Sequence, residues 1–304
     1  MPRMRLLLVL VAVVGLGALA RAQERDLSDV DIDINKITDQ VYWLEGAGGN
    51  IGLLTGPDGV LLIDDQFAQL TDKINASVAE VSTKPVRYIL NTHFHGDHVG
   101  SNENFGRAGV TIIAQDKVRA RLSTKQFNKL RNVEVPPLAS VGLPILTFND
   151  SLTFHMNGQT VIVFHVAPAH TDGDAIVLFK EANVVHMGDC FFNGNYPIID
   201  LGAGGSFTGM IAAVDRVLPR IDDRTKVIPG HGELGDKASL KAFRDMLVEV
   251  RDKVRPLVKQ GKTADQIVAA KPTAALDAKW GKGFMTPERF LRVVAEDLGA
   301  KGAR

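Results

Sequence analysis

His93-Phe94-His95-Gly96-Asp97-His98 places four potential metal ligands within six residues, directly behind the apolar run 86–90 and Asn91-Thr92. Imidazole nitrogen and carboxylate oxygen are typical zinc donors in proteins. The apolar run reads as a short buried strand, so the ligands fall at a strand end. Ligands this dense cannot all face one ion along a straight chain. Gly96 frees the backbone to turn there, so His93 and His95 are expected to point together and Asp97 and His98 to a second position. The chain has eight histidines, and three of them in one hexapeptide argue against an ordinary solvated surface.

Three further candidates lie at other strand ends. His170 stands in Pro168-Ala169-His170-Thr171-Asp172-Gly173-Asp174, after an apolar segment that closes at Val166. Asp189 stands in Gly188-Asp189-Cys190, after the segment 184–187. His231 stands in Pro229-Gly230-His231-Gly232-Glu233, after Val227-Ile228. Loops on a rigid scaffold commonly carry function, although each of these residues alone would be unremarked.

Around these sites the chain reads as strands in two groups, each closed by helices. Strands are predicted at 41–44, 51–55, 60–63, 86–90 and 110–114, and again at 152–156, 160–166, 175–179, 184–187 and 226–228. Gly56-Pro57-Asp58-Gly59 and Asn157-Gly158 are turn signals between strands. Helices are predicted at 70–81, 116 to about 130, 207–218, 238–259, 263–270 and 287–298, with a loop from 132 to 144. Thr263 and Gln266 are spaced as a capping box. Hairpins mixed with single helices imply an α+β fold with two packed sheets and helices outside.

The first residues read differently. Arg3 and Arg5 precede an apolar run, and Ala20-Arg21-Ala22 follows it, which is the pattern of a secretory signal peptide. The run spans about 15 residues, short of the roughly 20 that cross a bilayer. Residues 1–22 are therefore expected to be cleaved, leaving a single domain at 23–304 with C-terminal helices from about 236. The expected location is periplasmic or secreted. The mature chain would carry 32 basic against 35 acidic residues. Lys and Arg are scattered, which argues against a nucleic-acid face. A small-molecule substrate, no lasting membrane anchor and a monomer are expected. Cys190 is the single cysteine, so no internal disulfide is available.

Taken together, His-x-His-x-Asp-His, Ala-His-Thr-Asp-Gly, Gly-Asp and Pro-Gly-His-Gly, in that order, resemble the metallo-β-lactamase superfamily over roughly residues 35–235. The resemblance implies an αββα four-layer sandwich with two zinc ions at one edge. It implies that His93, His95 and His170 hold the first zinc and that Asp97, His98 and His231 hold the second, with Asp189 bridging. Asp97 would also orient the attacking hydroxide. Asp64 matches the superfamily's first acidic position and would steady a ligand imidazole, with Asp65 as its less favoured substitute. Thr171 and His165 are expected to support His170. His155 and His186 are expected in the core or behind the ligands. Trp43, Phe191 and Tyr196 are expected to line the pocket, while Trp280 and Phe284 are expected to pack the terminal helices.

Departures from the family pattern bear on the substrate. The main lactamase subclass has Arg at the position of His98, Cys at Asp189, and a carboxylate-binding Lys where this chain has Phe192. Its substrate-covering loop is here only Glu45 to Asn50, rich in glycine. His98 instead resembles another lactamase subclass, glyoxalase II and lactonases, and Asp189 resembles glyoxalase II and lactonases. In favour of the lactamases, Pro-Gly-His-Gly-Glu and Leu201-Gly202 resemble the main subclass, although Ala203 replaces its usual Asn. Export also suits periplasmic β-lactam targets. The expected activity is hydrolysis of a cyclic amide (β-lactam) carbonyl by metal-bound hydroxide, with weak or broad specificity. The alternatives are a lactone or thioester hydrolase and a mononuclear iron persulfide dioxygenase.

Overall fold

The computed structural model describes residues 26–129, 132–166 and 168–299. The signal-peptide reading of residues 1–22 lies outside the described residues. Among the described residues, no helix is long and apolar enough to cross a membrane.

The first sheet contains β1 (Asp33–Lys36), β2 (Val41–Glu45), β3 (Ile51–Leu54), β4 (Val60–Ile63), β5 (Val86–Asn91) and β6 (Thr111–Gln115). A separate hairpin follows, β7 (Gln126–Asn128) with β8 (Val133–Val135), and then β9 (Leu146–Phe148) closes the first sheet beside β6. The second sheet runs in order through β10 (Ser151–Met156), β11 (Gln159–His165), β12 (Ala175–Phe179), β13 (Val184–His186), β14 (Lys226–Ile228) and β15 (Gly235–Asp236).

Alternation along the strands builds the layers, because successive side chains point to opposite faces. In β4, Leu61 and Ile63 face the second sheet. Val60 and Leu62 face the other way, towards Leu70 and towards Ile74 and Val78 of α1 (Thr71–Val81). In the second sheet, Val177 and Phe179 point between the sheets, while Ile176 and Val185 point out. The outward residues meet α5 (Phe207–Val217), α6 (Lys237–Lys259) and α9 (Pro287–Asp297), whose Phe207, Phe243 and Phe290 are fully buried. The result is an αββα sandwich. The shorter helices are α2 (Gly96–Val99), α3 (Asn102–Arg107), α4 (Asp116–Leu122), α7 (Ala264–Ala269) and α8 (Ala274–Trp280).

Pairing directions bring the site together. β4, β5 and β6 are mutually parallel, so the C-terminal ends of β4 and β5 lie side by side. β13 and β14 are also parallel, which sets the loops after His186 and Ile228 next to each other. A further bridge joins Phe192 to His231.

Three expectations about the chain are corrected. The helix predicted from 116 to about 130 ends at Leu122, where Ser123 and Thr124 donate their hydroxyls to the Ala120 carbonyl. Such local bonds compete with helix continuation. The predicted loop from 132 holds β8, which pairs antiparallel with β7 around Asn132 at φ 53°. Gly96 is also not a special conformer. It opens the single helical turn α2 with no positive φ, and a side chain there would meet open space. The turn of helix, rather than glycine freedom, rotates Asp97 and His98 away from His93 and from the extended His95.

Candidate metal centre

The structure brings all seven candidate ligands together. His93, His95, His170 and Asp189 each offer one donor atom, all within 4.8 Å of one another, and Asp97, His98 and His231 form a second such group. Asp189 stands between the groups. Its Oδ2 lies 3.4 Å from His170 Nε2 and 3.9 Å from His93 Nε2. Its Oδ1 lies 3.1 Å from His98 Nε2 and 3.5 Å from His231 Nε2. Asp97 Oδ2 is 3.4 Å from His231 Nε2.

Whether these residues fit metal can be judged from their unmet valences. Buried polar atoms nearly always find a partner. Yet His93 Nε2 and Asp189 Oδ1 are buried without a hydrogen bond among the described residues, the 3.1 Å approach of His98 lacking hydrogen-bond alignment. His170 Nε2 and His95 Nδ1 face each other at 2.7 Å. Donors converging on one point, with orphaned lone pairs, fit a divalent cation.

Four rings are held from behind, which selects the nitrogen each presents. Thr92 Oγ1 bonds His93 Nδ1 at 3.0 Å. Asp200 Oδ2 bonds His95 Nε2 at 3.1 Å, leaving Nδ1 for the site. The Ile198 carbonyl accepts from His170 Nδ1 at 2.8 Å. Asp64 Oδ2 bonds His98 Nδ1 at 2.8 Å and also accepts from the Thr92 hydroxyl, while its Oδ1 accepts from Thr92 N–H. Asp64 adopts φ 65° to do this. Asp65 turns away and accepts from Ser101 N–H.

The electrostatics follow from burial and from Asp189. Burial drives His93 well below the usual imidazole range, and it brings His170 down to about 4. Both are therefore neutral, as metal ligands must be. Burial also opposes charge on His98, but Asp189 and Asp64 outweigh it and lift that ring well above its ordinary value. Burial pushes the Asp189 carboxyl up, but His231, His98 and His170 together hold it well below the carboxylate range.

A cleft of about 440 Å³ opens over the site, with His95, Asp97 and Asp189 in its lining. Its apolar wall includes Phe94, Phe127, Val133, Val135, Ile198 and Phe284. The three aromatics expected there lie elsewhere. Trp43 is buried between the sheets. Phe191 packs edge-on against Phe243 in the outer core. Tyr196 stacks on Phe290 and donates its hydroxyl to Asp277. Large apolar side chains on strand ends were buried by the helical layer, and Phe284, expected to pack helices, is half exposed in the cleft instead.

Other expectations are corrected as well. Among the described residues, Thr171 and His165 make no hydrogen bond to the His170 ring. Both bond Asp174, the Thr171 hydroxyl through its carboxylate and His165 Nδ1 through its carbonyl. His186 is fully buried and ties Nε2 to the Asn50 carbonyl, whereas His155 is exposed on the edge strand β10. Cys190 is buried in the outer core, with its thiol pushed up by burial and by the carboxylates of Asp174 and Asp189. Asp200 and the Ile198 carbonyl went unnoticed in the sequence; the only signal was an acid closing the apolar pair Ile198-Ile199.

Comparison with known proteins agrees with this geometry. The family model described as the metallo-beta-lactamase superfamily matches residues 44–231, from β2 to the last histidine ligand. The chain belongs to the metallo-β-lactamase superfamily. It is a hydrolase of that superfamily, with a site fit for metal. It is 26% identical over 262 residues to the beta-lactamase-like protein 2 homolog of Caenorhabditis elegans, covering 81% of this chain and 80% of that one. It is 25% identical over 206 residues to the metallo-beta-lactamase type 2 of Bacillus cereus, covering 67% of this chain and 74% of that one. Among solved structures, the sec-alkylsulfatase Pisa1 from Pseudomonas sp. superposes with a TM-score of 0.66 at 15% identity, over 87% of this chain and 50% of that one. At that identity the likeness is one of fold.

Proposed function

We propose that this chain is an exported two-zinc hydrolase that opens the carbonyl–nitrogen bond of a cyclic amide of the β-lactam type. The observation that carries the two-ion reading is the split of the Asp189 carboxylate between two histidine groups. His93, His95 and His170 would hold one ion and Asp97, His98 and His231 the other, with Asp189 shared. Such ions, when bound, lower the pKa of water to about 7 and polarise a carbonyl oxygen.

The protein's own residues do the rest. Asp97, at the cleft floor beside His231, orients the attacking water and receives its proton. As the new carbon–oxygen bond forms and the carbon–nitrogen bond breaks, that proton passes to the leaving nitrogen. The apolar wall excludes bulk water from the reacting carbonyl and holds the substrate by burial. Likeness to the Bacillus cereus protein named as a lactamase supports the lactam. Residues 1–22 supply export in this reading.

A lactone or thioester is the second reading. It is favoured by His98 and Asp189 and by Phe192, which stacks on His231 at 5.3 Å where the main lactamase subclass has its lysine. The test is nitrocefin turnover by zinc-loaded protein, beside a panel of lactones and thioesters, with metal quantified. Zinc-dependent ring opening that His95→Ala abolishes is expected. Absence of nitrocefin turnover with zinc bound, or turnover indifferent to His95→Ala, would falsify the lactam reading.

A further inference from the structure

The wall of the cleft leaves several large apolar side chains open to water. On the hairpin β7–β8, Phe127 is 53% exposed, Val133 36% and Val135 42%, and Phe284 faces the same cavity at 52%. These side chains come from two separate parts of the chain, the hairpin and the loop before α9. A contiguous exposed apolar patch beside a reactive centre marks a binding surface. It is shaped for a group that is itself apolar and bulky.

Among the described residues, one charge in this wall stands without a partner. Among the charged residues lining the cleft, Asp97, Asp189 and Asp200 face the histidines. Arg121 is clamped by Asp172, with Nε donating to Oδ1 at 2.7 Å and Nη2 to Oδ2 at 2.9 Å. Its guanidinium also lies over the Phe94 ring, and its Nη1 donates to Gln126. Lys129 has no ionic or hydrogen-bonded partner among the described residues, and it is exposed. Its position is nonetheless defined. A β-carbon placed on Gly202 would lie 3.5 Å from Lys129 Cδ and 3.6 Å from Cε. The lysine stem therefore runs beside the turn Leu201–Ala203, directly after Asp200, which holds His95. A cation at this place lies at the boundary between the apolar wall and the ligand histidines. The Phe192 position is apolar and offers no cation.

We infer that the hairpin β7–β8, with Phe284 and Lys129, selects the substrate, and that this substrate joins a bulky apolar group to an anionic one. Lys129 takes the anion, and Phe127, Val133, Val135 and Phe284 take the apolar group. This deepens the hydrolase reading of the same site and rests on it, but its test reads binding alone.

Two fluorescent probes share one skeleton and differ by one charge: 1-anilinonaphthalene-8-sulfonate and the neutral N-phenyl-1-naphthylamine. Each is titrated into metal-loaded full-length protein. The wild type is expected to bind both and to prefer the sulfonate. Lys129→Ala is expected to lower sulfonate affinity by about 5-fold, as an exposed ion pair would, and to leave the neutral probe unchanged. Phe127→Ser combined with Val135→Ser is expected to weaken both probes by about 10-fold or more through lost apolar contact. These positions are exposed, so the fold should persist; matching circular dichroism melts verify that. A sulfonate preference that survives Lys129→Ala overturns the anion assignment. Affinities unmoved by the hairpin variant overturn the apolar wall. Neither result depends on lactam turnover, so failure of the catalytic reading remains a separate outcome.

Discussion

His98 presents Nδ1 to Asp64 Oδ2 at 2.8 Å, and both side chains are completely buried. The contact sets the tautomer, because Nδ1 must carry the proton for Nε2 to offer a lone pair to a metal ion. Asp64→Asn is therefore more than a loss of charge. Asparagine tolerates the φ of 65° at this position, and its oxygen can still accept from Thr92 N–H. Its amide must then donate towards His98, which moves the ring proton to Nε2. The variant should fold with a nearly unchanged melting temperature when metal is absent. It should bind metal at the second group about 10–100-fold more weakly, as read by metal titration. Wild-type affinity would sink the tautomer argument.

Asp189 and Cys190 are neighbours in sequence with opposite surroundings. Asp189 reaches both histidine groups, while Cys190 belongs to the apolar core with Asp174 nearby. Cys190→Ser should leave metal stoichiometry intact and lower stability modestly. Asp189→Ala should lose bound metal, with no rescue from the thiol. If Asp189→Ala keeps full metal and Cys190→Ser loses it, the assignment of the shared ligand is wrong.

Much of this was legible because the physics was local. Apolar runs such as Val60–Ile63 and Ala175–Phe179 can only be buried strands here, and they set the two sheets. The ligands were legible because His93, His95, Asp97 and His98 crowd one strand end. The cleft wall was not legible. Lys125, Gln126 and Lys129 suit a helix locally, and the hairpin is placed by the clamp of Arg121 on Asp172, the bond from Arg121 to Gln126 and the Lys125–Glu134 pair. Phe191 and Tyr196, near Asp189 in sequence, were claimed by the outer core, whereas Phe127 and Phe284 of the wall are far from the ligands in sequence. Asp200 had no pattern to announce it, since its role depends on the long-range approach to His95.

Asp174 predicts a pH dependence in the metal-free protein. Burial raises its carboxyl to about 7, against two hydrogen bonds from Thr171 that favour the ionised form. The sign follows from linkage: a folded-state pKa above the unfolded value means the folded chain holds the proton longer. The contribution is present in full below the ordinary carboxylate value of 3.8 and is lost as pH rises to about 7. At about 1.4 kcal/mol per unit, the loss is at most about 4 kcal/mol. Denaturant unfolding from pH 4 to 7, compared between wild type and Asp174→Asn, isolates it. The stability of wild type relative to the variant should fall across that window; parallel curves would refute the assignment.

The glycine-rich segment before Asn50 has a mechanical role that its shortness as a substrate flap concealed. Gly49 N–H donates to the Asp97 carbonyl at 3.0 Å, which holds the segment against the ligand loop. A β-carbon on Gly49 would sit 2.0 Å from His98 Cε1 and 2.3 Å from Nε2. The ring cannot yield easily, because Asp64 fixes its other nitrogen inside the core. Gly49→Ala should therefore displace His98 or the 46–50 backbone, without touching the first group of histidines. The expected result is loss of one metal equivalent with retention of the other, and a fall in turnover of at least about 10-fold. Gly48→Ala is not a neutral control, since its β-carbon would lie 2.6 Å from the Asp97 carbonyl oxygen. Gly158→Ala serves as the distant comparison: it meets open space, although its φ of 75° carries some strain. Equal metal content in Gly49→Ala and Gly158→Ala would show that the close approach of backbone to ring is dispensable.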